Sequence, residues 1–189
     1  MERMRRIFLA RHGETEWNAL GRLQGHTDIP LNEAGRAQAR ALAVSVAGSG
    51  IAAVVASDLM RARETGEIVA AALGLVAPTI EPDLRERRFG VFEGLTRDEC
   101  AARHPEAWRA WKERTDAPPG GEPRPLAVAR VAEALARIAA AAGGPTLVIS
   151  HGGVMRLWLM DLLGESVPPI ANAKVYAIDH DGDRFRVRR

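Results

Sequence analysis

The sequence is poor in several features that mark common classes of protein. It contains one cysteine, Cys100, which excludes an intramolecular disulfide or a zinc site built from cysteines and fits a reducing compartment. It has neither a G-x-x-x-x-G-K-[S/T] loop nor a G-x-G-x-x-G turn, so the common nucleotide-binding motifs are missing. Near the N-terminus, the apolar run Ile7 to Ala10 ends at Arg11 and is too short for a secretion signal or a membrane span. We therefore expect a cytoplasmic protein.

A large excess of charge of one sign is also absent. The 26 Lys and Arg residues against 24 Asp and Glu residues leave a formal net charge of +2, which does not describe a protein that coats nucleic acid. We expect neither a nucleic-acid nor a membrane partner. Lysine occurs only at Lys112 and Lys174, so nearly all basic residues are arginine, the side chain that holds phosphate through two hydrogen bonds.

Strand-like and helix-like segments alternate along the 189 residues, a length that suits one domain with a sizeable core. This alternation predicts an α/β fold with three layers, α/β/α, in which a mostly parallel sheet carries helices on both faces. The predicted strands are residues 6–10, 52–56 and 146–149, the predicted helices are 31–46, 59–73, 126–142 and 154–163, and residues 174–178 and 184–187 flank a predicted hairpin turn.

One segment interrupts the alternation of strands and helices. Residues 91–124 contain Trp108 and Trp111 and are predicted to form a small helical cap over the sheet. The whole chain, residues 1–189, is therefore expected to be a single domain with this cap segment.

Three helix starts are predicted from local sequence. Asn32 precedes the first long helix as a candidate cap, and Thr96 has Glu99 at the spacing of a capping box. Ser57 and Asp58, which follow the second predicted strand, are expected to begin the next helix.

Two histidines occupy equivalent places in the predicted fold. His12 and His151 each come directly after an apolar strand, and the carboxyl ends of parallel strands are where ligands bind. Histidine suits a nucleophile that works near neutral pH, because its ordinary pKa of about 6.5 leaves a ring nitrogen free. Arg11 adjoins the first histidine and Arg61 begins a helix, so an arginine pair could hold a phosphoryl group. Arg63 is expected on the surface.

Four blocks of sequence carry a more specific signal when they are taken in order. They are residues 9–18 (LARHGETEWN), 57–65 (SDLMRARET), 84–90 (LRERRFG) and 150–153 (SHGG). Together they resemble the histidine phosphatase superfamily, which includes the cofactor-dependent phosphoglycerate mutases. The blocks span most of the chain, and the ordered set is far more specific than a lone Arg-His-Gly.

The resemblance implies a reaction and a set of roles. His12 would be the nucleophile that forms a phosphohistidine, and Glu86 the general acid and then the general base. His151 is the third candidate catalytic residue and would bind the phosphoryl group. The side chains that would join it in holding this group are Arg11, Asn18 and Arg61. No metal ion or cofactor is implied, because the arginines and the histidine supply the positive charge.

Several residues near these blocks have competing interpretations. Gln24 and Gly152 are further candidates for substrate contact. Glu93 is the rival of Glu86 as the catalytic carboxylate, whereas His26 and Asp28 are expected to shape a loop near the site entrance. A general acid needs a carboxyl group whose proton affinity is raised, so the three arginines that flank Glu86 are expected to point away from it; they are Arg85, Arg87 and Arg88.

The superfamily resemblance leaves the reaction open. The segment between Glu86 and His151 is short beside that of the mutases, which favours a phosphomonoester hydrolase acting on a small phosphorylated metabolite. Residues 89–96 and 118–122 also resemble the broad-specificity and α-ribazole phosphatase branches, except that Pro123 stands where a serine is common. The alternatives are a phosphoglycerate mutase, which is an isomerase, and a phospho-ligand-binding protein without turnover. The oligomeric state is open, with a homodimer as one alternative.

Overall fold

The computed structural model describes residues 4–188, so the first three residues and Arg189 of the expected domain lie outside the described range. Its strands are β1 (Arg5–Arg11), β2 (Ala53–Ala56), β3 (Thr79–Ile80), β4 (Thr146–Ser150), β5 (Val175–His180) and β6 (Phe185–Val187). Its helices are α1 (Glu16–Ala19), α2 (Glu33–Val46), α3 (Met60–Ala72), α4 (Arg97–Arg103), α5 (Pro105–Glu113), α6 (Arg124–Ala141) and α7 (Gly152–Leu163). Short 3-10 turns cover Ala47–Ser49, Pro82–Leu84 and Gly90–Phe92.

The six strands form one mixed sheet in the order β3-β2-β4-β1-β5-β6. The first four strands in this order are parallel, and β5 and β6 continue the sheet antiparallel, as the predicted hairpin requires. Within the parallel part, β1 pairs with β4 and places Arg11 opposite Ser150. The residues that follow these two strands therefore begin side by side.

Helices cover both faces because the strand side chains alternate between them. On β1, Ile7 and Leu9 are buried in the core formed with α6 and α7, whereas Ala10 belongs to the core formed with α2 and α3. The same alternation on β4 sends Val148 to the first core and Ile149 to the second. The predicted three-layer α/β/α fold is confirmed.

None of the helices within residues 4–188 has the length and apolar character that crossing a lipid bilayer requires.

The predicted helix starts are correct where the N-cap side chain binds a residue of the first turn of its own helix. The Asn32 side chain accepts a hydrogen bond from Gly35 N at 2.8 Å, and Thr96 with Glu99 forms the expected capping box. The prediction for Ser57 and Asp58 is wrong, because α3 begins at Met60 after Leu59. Its first turn is capped from a distant loop by Asp28, whose Oδ1 accepts from Met60 N at 2.7 Å.

Residues 91–124 contain the two short helices α4 and α5 and a small apolar cluster. Phe92 and Cys100 are fully buried in this cluster, with Phe89 beside them. Trp108 and Trp111 stack with their ring centroids 5.0 Å apart and pack against the same cluster. The segment is thus held by its own aromatic core at one end of the sheet.

Two glycines let the loop after β1 lie directly on α2. A Cβ at Gly35 would overlap the backbone oxygen of Glu14, and a Cβ at Gly13 would overlap the carbonyl of Gly35. This contact sets the path of the chain immediately after His12, so α2 supports the position of the first histidine.

Gly35→Ala should destabilise the protein although alanine is the better helix former. Helix propensity favours alanine by about 1 kcal/mol, but displacing backbone at a close contact costs about 1–3 kcal/mol. Gly48→Ala is the matched control, since no atom lies within 4 Å of a Cβ there, and it should be neutral or stabilising by up to about 1 kcal/mol. Urea unfolding of both variants measures the difference, and a more stable Gly35→Ala would contradict the contact.

Candidate active site

A cavity of about 290 Å³ opens at the carboxyl ends of the central parallel strands. Seven of the eight candidate site residues line it, namely Arg11, His12, Asn18, Gln24, Arg61, Glu86 and Gly152. His151 is fully buried, and its ring centroid lies 5.1 Å from that of His12. The backbone joins the two histidine segments as well, because His12 N donates to Ser150 O at 3.0 Å.

The His12 ring is held in one tautomer. Its Nδ1 lies 2.6 Å from the carbonyl oxygen of Gly13; a carbonyl only accepts, so Nδ1 carries the proton and Nε2 has a free lone pair. The side chain is 2% exposed. Burial lowers the pKa of His12 well below its usual value, and the positive charges of Arg61 and Arg11 lower it further. The ring is therefore neutral and nucleophilic at Nε2.

His151 is also neutral, for a related reason. Its Nδ1 accepts a hydrogen bond from Arg61 Nε at 3.2 Å, so the proton lies on Nε2, which donates to Ser57 Oγ at 2.9 Å. Burial, Arg61 and the neighbouring His12 hold the pKa of His151 well below its usual value. Both of its ring nitrogens are thus engaged within the protein.

Arg61 is a buried cation held by neutral acceptors. It is 1% exposed, and its terminal nitrogens donate to Thr27 O at 2.9 Å and to Gly25 O at 2.7 Å. Burial lowers the pKa of Arg61 to about 10, so the guanidinium stays charged at neutral pH. Arg63, two residues along, is exposed and pairs with Glu67, as expected for a surface position.

Arg11 reaches the cavity across a glycine. Its terminal nitrogen donates to Ile170 O at 2.6 Å, and its side chain lies so close to Gly152 that a Cβ there would be 2.9 Å from Nε. Burial lowers the pKa of Arg11. Within residues 4–188 its buried Nε has no hydrogen-bond partner.

Glu86 sits on the N-terminus of α7. Its carboxylate accepts from Gly153 N at 2.8 Å, from Val154 N at 2.7 Å and from Arg87 N at 2.8 Å. A Cβ at Gly153 would lie 2.6 Å from the carboxylate, so the second glycine of the SHGG block makes room for it. Oε1 receives two of the donors and Oε2 one, which leaves Oε2 the freer oxygen.

Glu93, the alternative to Glu86 as the catalytic carboxylate, binds a loop of the protein instead of lining the cavity. Its two oxygens accept four hydrogen bonds, from His26 N, Phe89 N and both the N–H and the hydroxyl of Thr27. Glu93 is not on the cavity wall. It holds the loop whose carbonyls bind Arg61, and His26 adds a bond from Nε2 to Glu86 O at 2.8 Å. The expectation that His26 and Asp28 shape this loop agrees with these contacts.

Asn18 and Gln24 line the cavity, and their side-chain oxygens are bound by neighbouring residues of the protein. Asn18 Oδ1 accepts from Thr15 N at 3.2 Å and from Asn172 Nδ2 at 3.3 Å. Gln24 Oε1 accepts from Thr15 Oγ1 at 3.0 Å. Because the oxygens face the protein, the side-chain amide nitrogens are the atoms left to meet an anion.

The expectation for the arginines beside Glu86 holds for two of the three. Arg85 binds Asp58 through two hydrogen bonds, and Arg88 lines a separate surface cavity with Arg85. Arg87 does not turn away: it lines the same cavity as Glu86. Its Nε donates to Glu122 O at 2.6 Å, an anchor 35 residues along the chain that the local sequence does not reveal.

Sequence reasoning missed several residues that support the site. Ser57 is fully buried and is the partner of His151; its position directly after β2 matched those of the two histidines and was the available signal. Asn172 bonds His12 O at 3.1 Å, and nothing in its local sequence marks it. Within residues 4–188 no group of three or more His, Cys, Asp or Glu side chains is arranged to hold a metal ion.

Together these groups suit the transfer of a phosphoryl group. A neutral imidazole with one free nitrogen faces a cavity whose wall carries the guanidinium groups of Arg11 and Arg61 and the carboxylate of Glu86. Such cations stabilise the negative charge on phosphoryl oxygens in the transition state.

Comparison with known proteins also indicates an enzyme that transfers phosphoryl groups. The model of the histidine phosphatase superfamily (branch 1) matches residues 7–189. Phosphoglycerate mutase-like protein 4 of Arabidopsis thaliana is 43% identical over 79% of this chain and 67% of its own length. The metal-independent phosphoserine phosphatase of the same plant is 37% identical over 91% of this chain and 75% of its own. A solved structure of a mycobacterial glucosyl-3-phosphoglycerate phosphatase superposes with a TM-score of 0.86, at 32% identity and 97% coverage of both chains.

The chain belongs to the histidine phosphatase superfamily, branch 1. The family expected from the four sequence blocks is thereby confirmed.

The neutral histidines should make stability depend on pH. Below about pH 6.5 histidine is protonated in the unfolded chain, whereas the buried rings of the folded protein stay neutral. Protonation therefore favours the unfolded chain, and the free energy of unfolding should fall as the pH falls. Each ring contributes at most about 1.4 kcal/mol per pH unit. His12→Gln and His151→Gln should each flatten this dependence relative to wild type when urea unfolding is measured between about pH 5 and pH 6.5. Equal slopes in all three proteins would contradict the buried neutral state.

Proposed function

We propose that the protein is a metal-independent phosphomonoester hydrolase that acts through a phosphohistidine at His12 on a small phosphorylated metabolite. The observation that carries the proposal is the fixed tautomer of His12, with Nδ1–H on Gly13 O and Nε2 free beside Arg11 and Arg61. The single cysteine supports a cytoplasmic location.

In the first step, the Nε2 lone pair of His12 forms a bond to phosphorus as the bond from phosphorus to the ester oxygen breaks. Arg11 and Arg61 balance the negative charge of the phosphoryl oxygens during this in-line transfer. The leaving oxygen takes a proton from Glu86. We assign this proton to Oε2, because Oε1 already accepts two backbone N–H groups.

In the second step, water attacks the phosphohistidine. Glu86, now ionised, takes a proton from the water as the bond from phosphorus to nitrogen breaks. Inorganic phosphate leaves, and both His12 and Glu86 return to their starting states. The three backbone N–H groups on Glu86 suit the ionised form that this step requires.

His151 has a supporting part in this scheme. Its Nδ1 fixes Arg61, and its ring packs against His12. A direct bond from His151 to the phosphoryl group requires its Nε2–H to leave Ser57 Oγ. Asn18, Gln24 and the backbone at Gly152 complete the wall that meets the substrate.

We also propose that residues 91–124 act as a cap within a single domain. Arg97 and Trp111 from this segment line the same cavity as His12. The relatives named above include a phosphoserine phosphatase and a glucosyl-3-phosphoglycerate phosphatase, which supports hydrolysis of small phosphorylated compounds here.

His12→Ala should lower the hydrolysis of p-nitrophenyl phosphate by at least about a thousandfold, because the covalent step loses its nucleophile. Turnover quenched in base should leave phosphate attached to His12 of the wild type, as mass spectrometry of the digested protein would detect, and acid should remove it. Arg63→Ala is the control: it changes an exposed arginine on the same helix as Arg61, and its activity should stay within about twofold of wild type.

Equal phosphate release by His12→Ala and wild type would refute the mechanism. A mutase is distinguished by a second assay. Conversion of 3-phosphoglycerate to 2-phosphoglycerate in the presence of bisphosphoglycerate, faster than release of inorganic phosphate, would favour the isomerase.

A further inference from the structure

The segment that carries Glu86 is held by side chains of other elements. Residues 85–88 belong to neither a helix nor a strand, so their backbone groups have no partners in regular secondary structure, and a buried carbonyl without a donor is costly. Ser150 Oγ donates to Leu84 O at 2.8 Å, and His26 Nε2 donates to Glu86 O at 2.8 Å. The path of the chain at Glu86 therefore depends on contacts that are distant in sequence.

Arg130, which lies on α6, donates to the same segment. Its Nη1 donates to Asp83 O at 2.6 Å and to Arg85 O at 3.0 Å, and its Nη2 donates to Glu86 O at 3.5 Å. One planar guanidinium can span several carbonyls because its N–H groups point outwards in a fixed fork. The backbone that leads into Glu86 is thereby tied to α6.

Glu122 orients this guanidinium and holds the other end of the segment. Its carboxylate accepts from Arg130 Nε at 3.0 Å and from Nη2 at 2.8 Å, the paired geometry that fixes an arginine most strongly. Glu122 N donates to Arg88 O at 2.9 Å, and Glu122 O accepts from Arg87 Nε at 2.6 Å. The two side chains of the ion pair are each 19% exposed. Together they clamp the chain from residue 83 to residue 88.

Neither member of this ion pair reaches the reacting groups. Arg130 and Glu122 line a separate surface cavity and are not on the wall of the active-site cavity. They contact the backbone around Glu86, whereas the carboxylate of Glu86 is held by Gly153 N and Val154 N at the start of α7. The backbone and the carboxylate are thus fixed from two different helices, and the direction of Oε2 depends on both.

We propose that Arg130, oriented by Glu122, is the positioning residue for proton transfer by Glu86. It acts through the backbone of residues 83–86, so that Oε2 meets the leaving oxygen of the substrate. This inference rests on the proposed function, since it concerns the general acid of that reaction. A displacement of about 1 Å in a reacting group can lower the rate by about a hundredfold, so a clamp on the backbone affects catalysis without touching the substrate.

Two substrates with similar rings separate this role from general damage to the site. p-Nitrophenyl phosphate releases a stable phenolate that leaves without a proton, whereas p-nitrobenzyl phosphate releases an alkoxide that needs the proton of Glu86. kcat/KM reports the barrier from free enzyme and substrate to transfer onto His12, so the later attack of water does not enter. Arg130→Gln should lower kcat/KM by at least about tenfold for the benzyl ester and by less than about threefold for the phenyl ester.

Glu86→Gln is the reference variant, because it removes the proton donor and keeps the size of the side chain. It should show the same selective loss for the benzyl ester, to a larger extent. Adding Arg130→Gln to Glu86→Gln should lower the benzyl rate by less than about twofold further, because a residue that acts through Glu86 then has no proton donor to position. A further loss as large as the one in the wild-type background would overturn the proposal.

Arg137→Gln is the matched control. Arg137 lies about two turns further along α6, is 51% exposed, and binds the side-chain carboxylates of Glu81 and Asp83. The ratio of the two esters should stay within about twofold of wild type. Thermal unfolding shows which variants fold. If Arg130→Gln does not fold, Arg130→Lys, which keeps the charge beside Glu122 but lacks the planar fork, should shift the ratio in the same direction by at least about threefold. An unchanged ratio in a folded variant would overturn the proposal.

Amide hydrogen exchange separates the positioning of Glu86 from the proposed function. Gly153 N–H and Val154 N–H donate to the carboxylate, so both should exchange at least about threefold faster in Arg130→Gln and at the wild-type rate in Arg137→Gln. Faster exchange in a protein that hydrolyses neither ester would support the placement of Glu86 by Arg130 and refute the hydrolase. If both esters are hydrolysed through His12 while Arg130→Gln changes neither their ratio nor the exchange, the hydrolase stands and the positioning role falls.

Discussion

The rest of the site depends on the burial of Arg61, for which residues 4–188 supply no ion-pair partner. A guanidinium at 1% exposure must have its N–H groups satisfied, and here the acceptors are two loop carbonyls and one imidazole nitrogen. None of these neutralises the charge. Burial is the main cause that lowers the pKa of His12 and of His151, and the charge of Arg61 lowers both further. Arg61 also fixes the tautomer of His151, because its Nε donates to Nδ1. If a carboxylate replaced these neutral acceptors, it would bind Arg61 more strongly and would leave less positive charge to hold a phosphoryl group.

The same constraint explains why the site is built before substrate arrives. Hydrogen bonds to carbonyls orient Arg61 and Arg11 without cancelling their charge, so little reorganisation is needed when negative charge develops on the ligand. Glu86 is oriented by backbone N–H groups at the start of α7. The glycines of the SHGG block make this possible, because Gly152 lies against Arg11 and Gly153 against Glu86. A side chain at either position would displace one of the two groups.

The part of the site that sequence could predict is the part that depends on strand ends and local caps. His12 and His151 were predicted to meet because parallel strands end at the same edge, and β1 and β4 are indeed neighbours. The caps Asn32 and Thr96 were predicted because donor and acceptor lie three residues apart. The cap of α3 by Asp28 and the anchor of Arg87 on Glu122 join segments about thirty residues apart. Such contacts arise only once the layers have packed. The edge strand β3 was missed because it has two residues, both exposed.

Glu93 shows how residues 91–124 and the site around His12 depend on each other. It was considered as a catalytic carboxylate, yet its oxygens bind the backbone of His26, Thr27 and Phe89. Thr27 in turn supplies one of the carbonyls that hold Arg61. Gly25 supplies the other at a φ of +53°, and a Cβ there would overlap Glu93. A displacement at Glu93 would therefore move the loop carbonyls, and through them the guanidinium that adds to the effect of burial in lowering the pKa of both histidines. Residues that do not line the cavity can thus act on His12 and His151, because the position of the buried Arg61 cation depends on its loop acceptors.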